Sequence, residues 1–236
     1  MIRFESTHRF LVTGASSGLG RAIALKLHGL GATVIALSRN ASALEDLHRS
    51  LSDPERIILY PFDLRDLDAI PSAFKEIVSR HGKLKGVVHS AGVGGVEPLK
   101  TLTIESAKAM FDLNYFSAIM LLKAFCDKRI HDTDPSVVMI SSISALYGNA
   151  GLCNYSATKG ALNALIKAAA VEQSRNRIRI NAVSPGFIVT DIVRHSPEVY
   201  NEAFFEQIRA EYPLGEGQPE DAAAATVFLL SDQARW

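Results

Sequence analysis

The sequence predicts an α/β fold in which one doubly wound parallel β-sheet carries helices on both faces. Short apolar runs of four to seven residues alternate with amphipathic helical segments along the chain, a pattern typical of a parallel sheet buried on both sides. Right-handed crossovers make double winding the default arrangement of such a sheet. Repeats and linker-like stretches are absent from the 236 residues, so we predict a single domain over residues 1–236.

The predicted elements follow this alternation. We expect strands at 9–13, 33–37, 57–60, 84–89 and 137–140, with a sixth strand ending before Pro185. Helices are expected at 21–30, 43–51, 67–81, 104–128, 197–211 and 219–231, and around the segment that holds Tyr155.

Composition bounds the function. Lys plus Arg and Asp plus Glu both total 25, so the net charge is zero and we expect no nucleic-acid or membrane partner. The start of the chain lacks the apolar stretch of a signal peptide, and no apolar run approaches the roughly 20 residues of a spanning helix. With two cysteines and no zinc-type histidine spacing, we expect no disulfide framework and no metal. A cytoplasmic location is the expectation.

A glycine-rich turn joins the first predicted strand to the first predicted helix. Its residues are Gly14, Ser16, Ser17, Gly18, Leu19 and Gly20. Strand, glycine turn and helix together place helix amides against a pyrophosphate, so these residues are predicted to bind a dinucleotide. The spacing Gly-x-x-x-Gly-x-Gly differs from the common G-x-G-x-x-G fingerprint. The alternative is a tight turn without a ligand.

The second predicted strand ends at Ser38, Arg39 and Asn40, where a dinucleotide fold meets the adenosine ribose. No acid stands there to accept from the 2′-hydroxyl of NAD. Arg39 has the planar fork that suits the 2′-phosphate of NADP. The sequence therefore favours NADP(H), with NAD(H) left open. A solvated arginine at a strand end is the alternative.

Tyr155 and Lys159 lie four residues apart, which is one turn on one face of a helix. Free tyrosine has a pKa of about 10, and a nearby ammonium lowers it toward the working range of a proton donor. The spacing alone is common, and a half-buried tyrosine beside a solvated lysine is the alternative.

Four features coincide in order and spacing. They are Thr13-Gly14-x-x-x-Gly18-x-Gly20, the pair Ala91-Gly92, Ser142 thirteen residues before Tyr155, and Tyr155-x-x-x-Lys159. Together they resemble the short-chain dehydrogenase/reductase family over nearly the whole chain, which implies a Rossmann-type fold. Asn114 and the loop of Pro185-Gly186 with Thr190 match further positions of that family.

The resemblance implies a catalytic set of Asn114, Ser142, Tyr155 and Lys159. In this set Ser142 holds the substrate oxygen, Tyr155 is the general acid, Lys159 lowers its pKa and holds the ribose, and Asn114 anchors a water. The implied cofactor contacts also include Asp63 at the adenine amino group, Leu64 beside the ring, and Ser90, Ala91, Gly92, Pro185, Gly186, Ile188 and Thr190. Turn-forming serines, a satisfied buried amide and a helix cap are the alternatives for Ser142, Asn114 and Asp63. His89 is predicted to be a core residue at a strand end.

Two departures from the family pattern stand out. Ser90 replaces the usual asparagine, so we expect weaker bracing of the central sheet. The chain ends at Trp236, after the last predicted helix, so we expect the family's final strand to be missing.

The substrate end is predicted to be a lid over about residues 187–215, with apolar and aromatic content. The overall pattern is similar to that of 3-oxoacyl-[acyl-carrier-protein] reductases. That similarity implies a site near the active centre, at Lys128, Arg129 and Arg175, that docks an acidic carrier protein. Solvated basic residues at helix ends are the alternative.

The leading hypothesis is an NADPH-dependent reductase of a ketone or a 3-oxoacyl group, including an acyl-carrier-protein thioester. A second hypothesis is an NAD(P)-dependent alcohol, sugar or steroid dehydrogenase. A third, from another class, is a dinucleotide-binding regulator without catalysis. The resemblance also implies a homodimer or homotetramer.

Overall fold

A computed structural model describes residues 2–190, 193 and 201–236. Its sheet has six parallel strands in the order β3-β2-β1-β4-β5-β6. The strands are β1 (Arg9–Thr13), β2 (Thr33–Ser38), β3 (Ile57–Pro61), β4 (Leu84–His89), β5 (His131–Ile140) and β6 (Arg179–Val183). This is the doubly wound arrangement that the sequence predicts.

The helices cover both faces of the sheet. Those of the described residues are α1 (Gly18–Gly29), α2 (Ala41–Arg49), α3 (Ile70–His81), α4 (Ile104–Phe111), α5 (Ser117–Phe125), α6 (Cys153–Gln173), α7 (Glu202–Glu211) and α8 (Pro219–Leu230). None of these helices combines the length and apolarity that crossing a bilayer requires.

The strands are apolar because both faces of the sheet are buried. Leu11 packs into a core with α3, α5 and α6, while the next residue, Val12, packs into a second core with α1, α2 and α8. Successive side chains of a strand point to opposite faces, so neither face of β1 is left for water.

The strand order reverses between β1 and β4, which places the site. The chain moves outward from β1 to β3 and then returns to β4 on the other side of β1. Connections from the two central strands therefore leave in opposite directions and open a crevice at the carboxyl ends of the strands. The turns after β1, β4, β5 and β6 all meet at this edge.

Two predicted elements need correction. The helix expected at 104–128 is interrupted by a π-turn (Asp112–Phe116) and ends at Phe125. The strand expected at 137–140 begins earlier, at His131, and its pairing with β4 shifts between Leu84 and Gly86. The expected helix at 197–211 is described only from Glu202, since residues 197–200 lie outside the described residues.

The C-terminal segment is held by Arg179 of β6, not by a further strand among the described residues. The guanidinium of Arg179 donates to the carbonyl oxygens of Leu229, Leu230, Ser231 and Ala234. These include the carbonyls that the end of α8 leaves without amide partners, so one cation satisfies several buried acceptors.

Candidate functional site

The turn after β1 requires glycine. Gly14 and Gly18 have φ of +67° and +49°, and a Cβ at position 20 would overlap the carbonyl oxygen of Gly14. Ser17, which precedes α1, makes no side-chain cap, and the first turn of α1 holds no acid. The first amides of α1 are thus open to an anion, and the turn fits the pyrophosphate of a dinucleotide.

The loop after β6 lies against this turn. A Cβ at Gly18 would lie 3.6 Å from Cγ2 of Thr190. The glycine turn and Thr190, both of which are expected to contact the cofactor, therefore adjoin each other in the structure.

The predicted adenosine end gathers polar groups after β2 and β3. The hydroxyls of Ser16 and Ser38 lie 2.8 Å apart. Arg39 is exposed and makes no ion pair with the described residues. Asp63 pairs with Arg65 through Oδ2 and Nη2 at 2.5 Å, and this contact, with a smaller contribution from Arg39, lowers the pKa of Asp63. Sequence reasoning missed Arg65; its signal is an arginine two residues after the predicted aspartate.

The turn after β4 is braced by a hydroxyl from β1. Oγ1 of Thr13 accepts from the backbone amides of Ser90 at 3.1 Å and Ala91 at 3.0 Å. Any residue other than proline at position 90 would supply this amide, so the bracing does not depend on the asparagine side chain that Ser90 replaces.

His89 lies under this turn and is 1% exposed. Its Nδ1 is 3.1 Å from Oγ1 of Thr13, and its Nε2 is 3.4 Å from Oγ of Ser117. Burial, with a smaller contribution from the charge of Lys159, lowers the pKa of His89 to about 3. The ring is therefore neutral at neutral pH and is a core residue at a strand end, in agreement with the sequence-based interpretation.

Asn114 is fully buried in the π-turn. Its Oδ1 accepts from the amide of Val93 at 2.8 Å, while its Nδ2 donates to the carbonyl of Val93 at 2.9 Å and to Oγ1 of Thr158 at 3.1 Å. Both amide hydrogens are used inside the protein. The side chain thus ties the loop after β4 to α6, and one lone pair of Oδ1 is left for a water.

Lys159 is a buried cation beside Tyr155. Its Nζ donates to the carbonyl oxygen of Ile140 at 2.9 Å and lies 5.7 Å from the centre of the Tyr155 ring. Burial lowers the pKa of Lys159 to about 8. The ammonium remains charged at neutral pH, and the described residues take only one of its three hydrogens.

The loop after β4 passes between these groups, and its glycines make room. A Cβ at Gly92 would lie 3.1 Å from Oδ1 of Asn114 and 3.7 Å from Nζ of Lys159. A Cβ at Gly94 would lie 3.4 Å from the ring of Tyr155. Gly94 is a site residue that the sequence patterns did not indicate.

Ser142 follows β5 in the same region. Its Oγ accepts from the amide of Ser144 at 3.1 Å, and among the described residues its own hydrogen has no acceptor. The next amide, of Ile143, donates to the carbonyl of Pro185 at 3.1 Å, so the turns after β5 and β6 are joined. The hydroxyl can donate to a ligand.

The described part of the predicted lid is aromatic. A Cβ at Gly186 would lie 2.7 Å from the ring of Tyr212, whose hydroxyl accepts from the amide of Phe187 at 3.2 Å. The rings of Phe204 and Phe205 on α7 lie 5.2 Å and 6.1 Å from the ring of Phe187. Ile188 pairs with Gly217. Residues 191–192 and 194–200 of the predicted lid lie outside the described residues.

The predicted carrier-protein contacts lie away from this site. The carbonyl of Lys128 accepts from Lys83 just before β4, and Arg129 pairs with Asp127. Arg175 lies in the turn between α6 and β6. All of these contacts are at the amino ends of the strands, whereas Ser142 follows a carboxyl end. The expectation that Lys128, Arg129 and Arg175 lie near the active centre is therefore wrong within a single chain.

The described residues hold no group of three or more histidine, cysteine, aspartate or glutamate side chains arranged to bind a metal ion.

Comparison with known proteins adds to this geometry. A family model described as enoyl-(acyl carrier protein) reductase matches residues 14–236. The 3-oxoacyl-[acyl-carrier-protein] reductase FabG of Thermotoga maritima is 32% identical over 228 residues, covering 96% of this chain and 91% of the relative. FabG of Pseudomonas aeruginosa is 34% identical over 231 residues, again covering 96% and 91%.

Solved structures are similar over almost the whole chain. A short-chain type dehydrogenase/reductase from Mycobacterium ulcerans has a TM-score of 0.90 and 32% identity, covering 99% of this chain and 86% of the other. A short-chain dehydrogenase/reductase titled glucose/ribitol dehydrogenase, from Brucella melitensis, has a TM-score of 0.91 and 27% identity, covering 99% and 94%.

The neutral, buried His89 predicts a pH dependence of stability. An unfolded histidine binds a proton near pH 6.5, whereas the folded pKa is about 3, so between these values the unfolded chain holds more protons. The free energy of unfolding should therefore fall as the pH drops below about 6.5, by up to ~1.4 kcal/mol per pH unit from this group. The free energy of unfolding, measured by urea denaturation at several pH values across this range, should change less with pH in His89→Asn than in the unaltered protein. Equal slopes in the two proteins would contradict the assignment.

Proposed function

The chain belongs to the short-chain dehydrogenase/reductase family, and we propose that it is an NADPH-dependent carbonyl reductase that converts a ketone or 3-oxoacyl group to an alcohol. Family membership and similarity to dehydrogenases and reductases make it an NAD(P)-dependent oxidoreductase. The observation that carries the proposal is the buried ammonium of Lys159 next to Tyr155 at the carboxyl edge of the sheet.

Tyr155 is the proposed proton donor. The nicotinamide cofactor, when bound, supplies a hydride to the carbonyl carbon. Tyr155 gives its hydroxyl proton to the carbonyl oxygen, so that the C=O bond becomes H–C–O–H and the tyrosine is left as a phenolate. A buried ammonium favours the phenolate because Coulomb attraction is strong where water is excluded.

Ser142 and Lys159 are proposed to hold the reacting groups. Ser142 has a hydroxyl hydrogen without an acceptor among the described residues, which suits donation to the substrate oxygen as negative charge develops there. Lys159 keeps two hydrogens for the ribose hydroxyls and for a water that returns a proton to Tyr155. The remaining lone pair on Oδ1 of Asn114 is a second contact for this water.

Two arginines support the preference for NADPH. Arg39 has no ion pair within the described residues, while Arg65 neutralises Asp63 beside it. A phosphate at the adenosine ribose could accept two hydrogen bonds from the planar guanidinium of Arg39. The carboxylate of Asp63, the group nearby that would repel a phosphate, already has a cation partner.

The substrate class follows from the lid and the relatives. The aromatic cluster of Phe187, Phe204 and Phe205 offers an apolar wall for an acyl chain or another apolar ketone. FabG relatives are named for a 3-oxoacyl group on acyl carrier protein, and we propose the same acyl class for this chain.

The alternative of a sugar or alcohol dehydrogenase is represented by the printed title of the Brucella melitensis structure. A panel of an acetoacetyl thioester, a diketone, a keto sugar and a ketosteroid separates these classes by the rate of NADPH consumption. Fastest turnover of the thioester is expected. Turnover of the keto sugar alone would reject the acyl class and keep the family.

Tyr155→Phe should lower kcat by at least about a thousandfold, since the proposed proton donor is removed, while the Kd for NADPH changes by less than about twofold. Stopped-flow rates and fluorescence titration of NADPH measure the two quantities. Tyr60→Phe is the matched control, because the Tyr60 hydroxyl donates to Glu76 of α3 and not to a group of the proposed site, so kcat should be unchanged. Full activity of Tyr155→Phe would overturn the assignment of the acid, whereas NADPH binding without turnover in the unaltered protein would favour the regulator hypothesis.

Arg39→Ala should raise the KM for NADPH by about 10-fold or more and leave the KM for NADH nearly unchanged. The lost interaction is a charge-assisted hydrogen bond to the 2′-phosphate, worth roughly 1.5–3 kcal/mol. Steady-state kinetics with both cofactors measure the effect. Arg49→Ala removes an exposed arginine that pairs with Asp46, and serves as the control. An equal change for both cofactors would contradict the role of Arg39.

A further inference from the structure

We propose that His89 is a positioning residue for catalysis, which acts through Ser117 to hold the π-turn that carries Asn114. The inference rests on the proposed reductase function, because Asn114 contributes to the site in that reaction. It assigns a function to a buried histidine whose side-chain hydrogen bonds are with Thr13 and Ser117, and not with Ser142 or Tyr155.

The direction of each hydrogen bond follows from the number of hydrogens and lone pairs that Thr13, His89 and Ser117 can offer. Oγ1 of Thr13 accepts two backbone amides, which use both of its lone pairs. Its own hydrogen is therefore directed to Nδ1 of His89, which must be the unprotonated nitrogen. A neutral ring then carries its hydrogen on Nε2 and donates it to Oγ of Ser117.

Ser117 passes this orientation to the π-turn. The amide of Ser117 donates to Asp112, five residues back, and not to Leu113, four residues back. The carbonyl of Leu113 instead accepts the Ser117 hydroxyl at 2.5 Å. Because His89 donates to the same oxygen, the hydroxyl hydrogen points toward Leu113. The side chain thus replaces the α-helical amide bond that the π-turn gives up.

The π-turn in turn sets the direction of Asn114. If the amide of Ser117 returned to Leu113, the helix would regain its α register and Asn114 would rotate by about 100° relative to α5. Its bonds to Val93 and Thr158 could not all survive such a rotation. The loop that carries Gly92 and Gly94 past Lys159 and Tyr155 would lose its anchor.

The test compares Ser117→Ala, His89→Asn and His89→Gln with Ser136→Ala. Ser136 is an equally buried serine whose hydroxyl also donates to a backbone carbonyl, that of Leu229, far from the site. Ser117→Ala and His89→Asn, which lose the bond to the π-turn, should lower kcat by about 10-fold or more, with the Kd for NADPH changed less than about twofold. His89→Gln should recover much of kcat, because its amide nitrogen reaches the position of Nε2.

Ser136→Ala should lower the unfolding midpoint comparably and leave kcat unchanged. If kcat is unchanged in Ser117→Ala, or if His89→Gln is no better than His89→Asn, the positioning role is wrong. A kcat loss in Ser136→Ala equal to that in Ser117→Ala would assign the effect to stability alone.

Two measurements do not need turnover, so failure of the proposed function and failure of this inference can be told apart. Nitrogen-15 chemical shifts of the unaltered protein should show the Nε2–H tautomer of His89 at neutral pH, and an Nδ1–H tautomer would overturn the inference. Amide exchange at Val93 should accelerate in Ser117→Ala and not in Ser136→Ala, since the Val93 amide is bonded to Asn114. Unchanged exchange at Val93 would also overturn it.

Discussion

The burial of the Lys159 ammonium is the constraint on which the rest of the site depends. An ammonium removed from water is costly unless polar groups surround it, and no carboxylate of the described residues pairs with this one. The carbonyl of Ile140, at the end of β5, supplies one acceptor. The described residues leave the other two hydrogens unused, so the site is prepared for oxygen ligands that complete the shell of the cation.

This constraint explains why glycines occupy the loop after β4 where it passes Lys159. Gly92 and Gly94 let the loop after β4 pass close to Nζ and to the ring of Tyr155, while Asn114 fixes that loop through the backbone of Val93. Larger side chains at either glycine would push the loop away from α6 and admit water. Exclusion of water is what makes the charge of Lys159 effective on the neighbouring phenol.

The sequence was sufficient for the features that depend on local pattern. Apolar strands, the glycine turn and the helix of Tyr155 and Lys159 follow from residue type and spacing, so β1 and β4 were predicted at their observed bounds. The π-turn was missed because it depends on the bond from the Ser117 hydroxyl to the Leu113 carbonyl and on the contact of Ser117 with His89 of β4. Residue spacing along the helix does not reveal either contact. The partner of Asp63 was missed because an exposed pair leaves no periodic trace. Lys128 and Arg175 were misplaced because linear similarity does not say which edge of the sheet a residue occupies.

A neutral histidine is the suitable link between β1 and the π-turn. Thr13 ends the strand that leads into the proposed cofactor turn, and Ser117 begins the helix after Asn114, so His89 joins the two halves of the site across the sheet. A lysine or charged histidine here would repel Lys159 and raise the cost of burying both cations. A carboxylate would attract the ammonium and compete with the phenolate of Tyr155 for its stabilising charge. An uncharged donor and acceptor in one ring transmits position without altering the electrostatics on which the proton transfer depends.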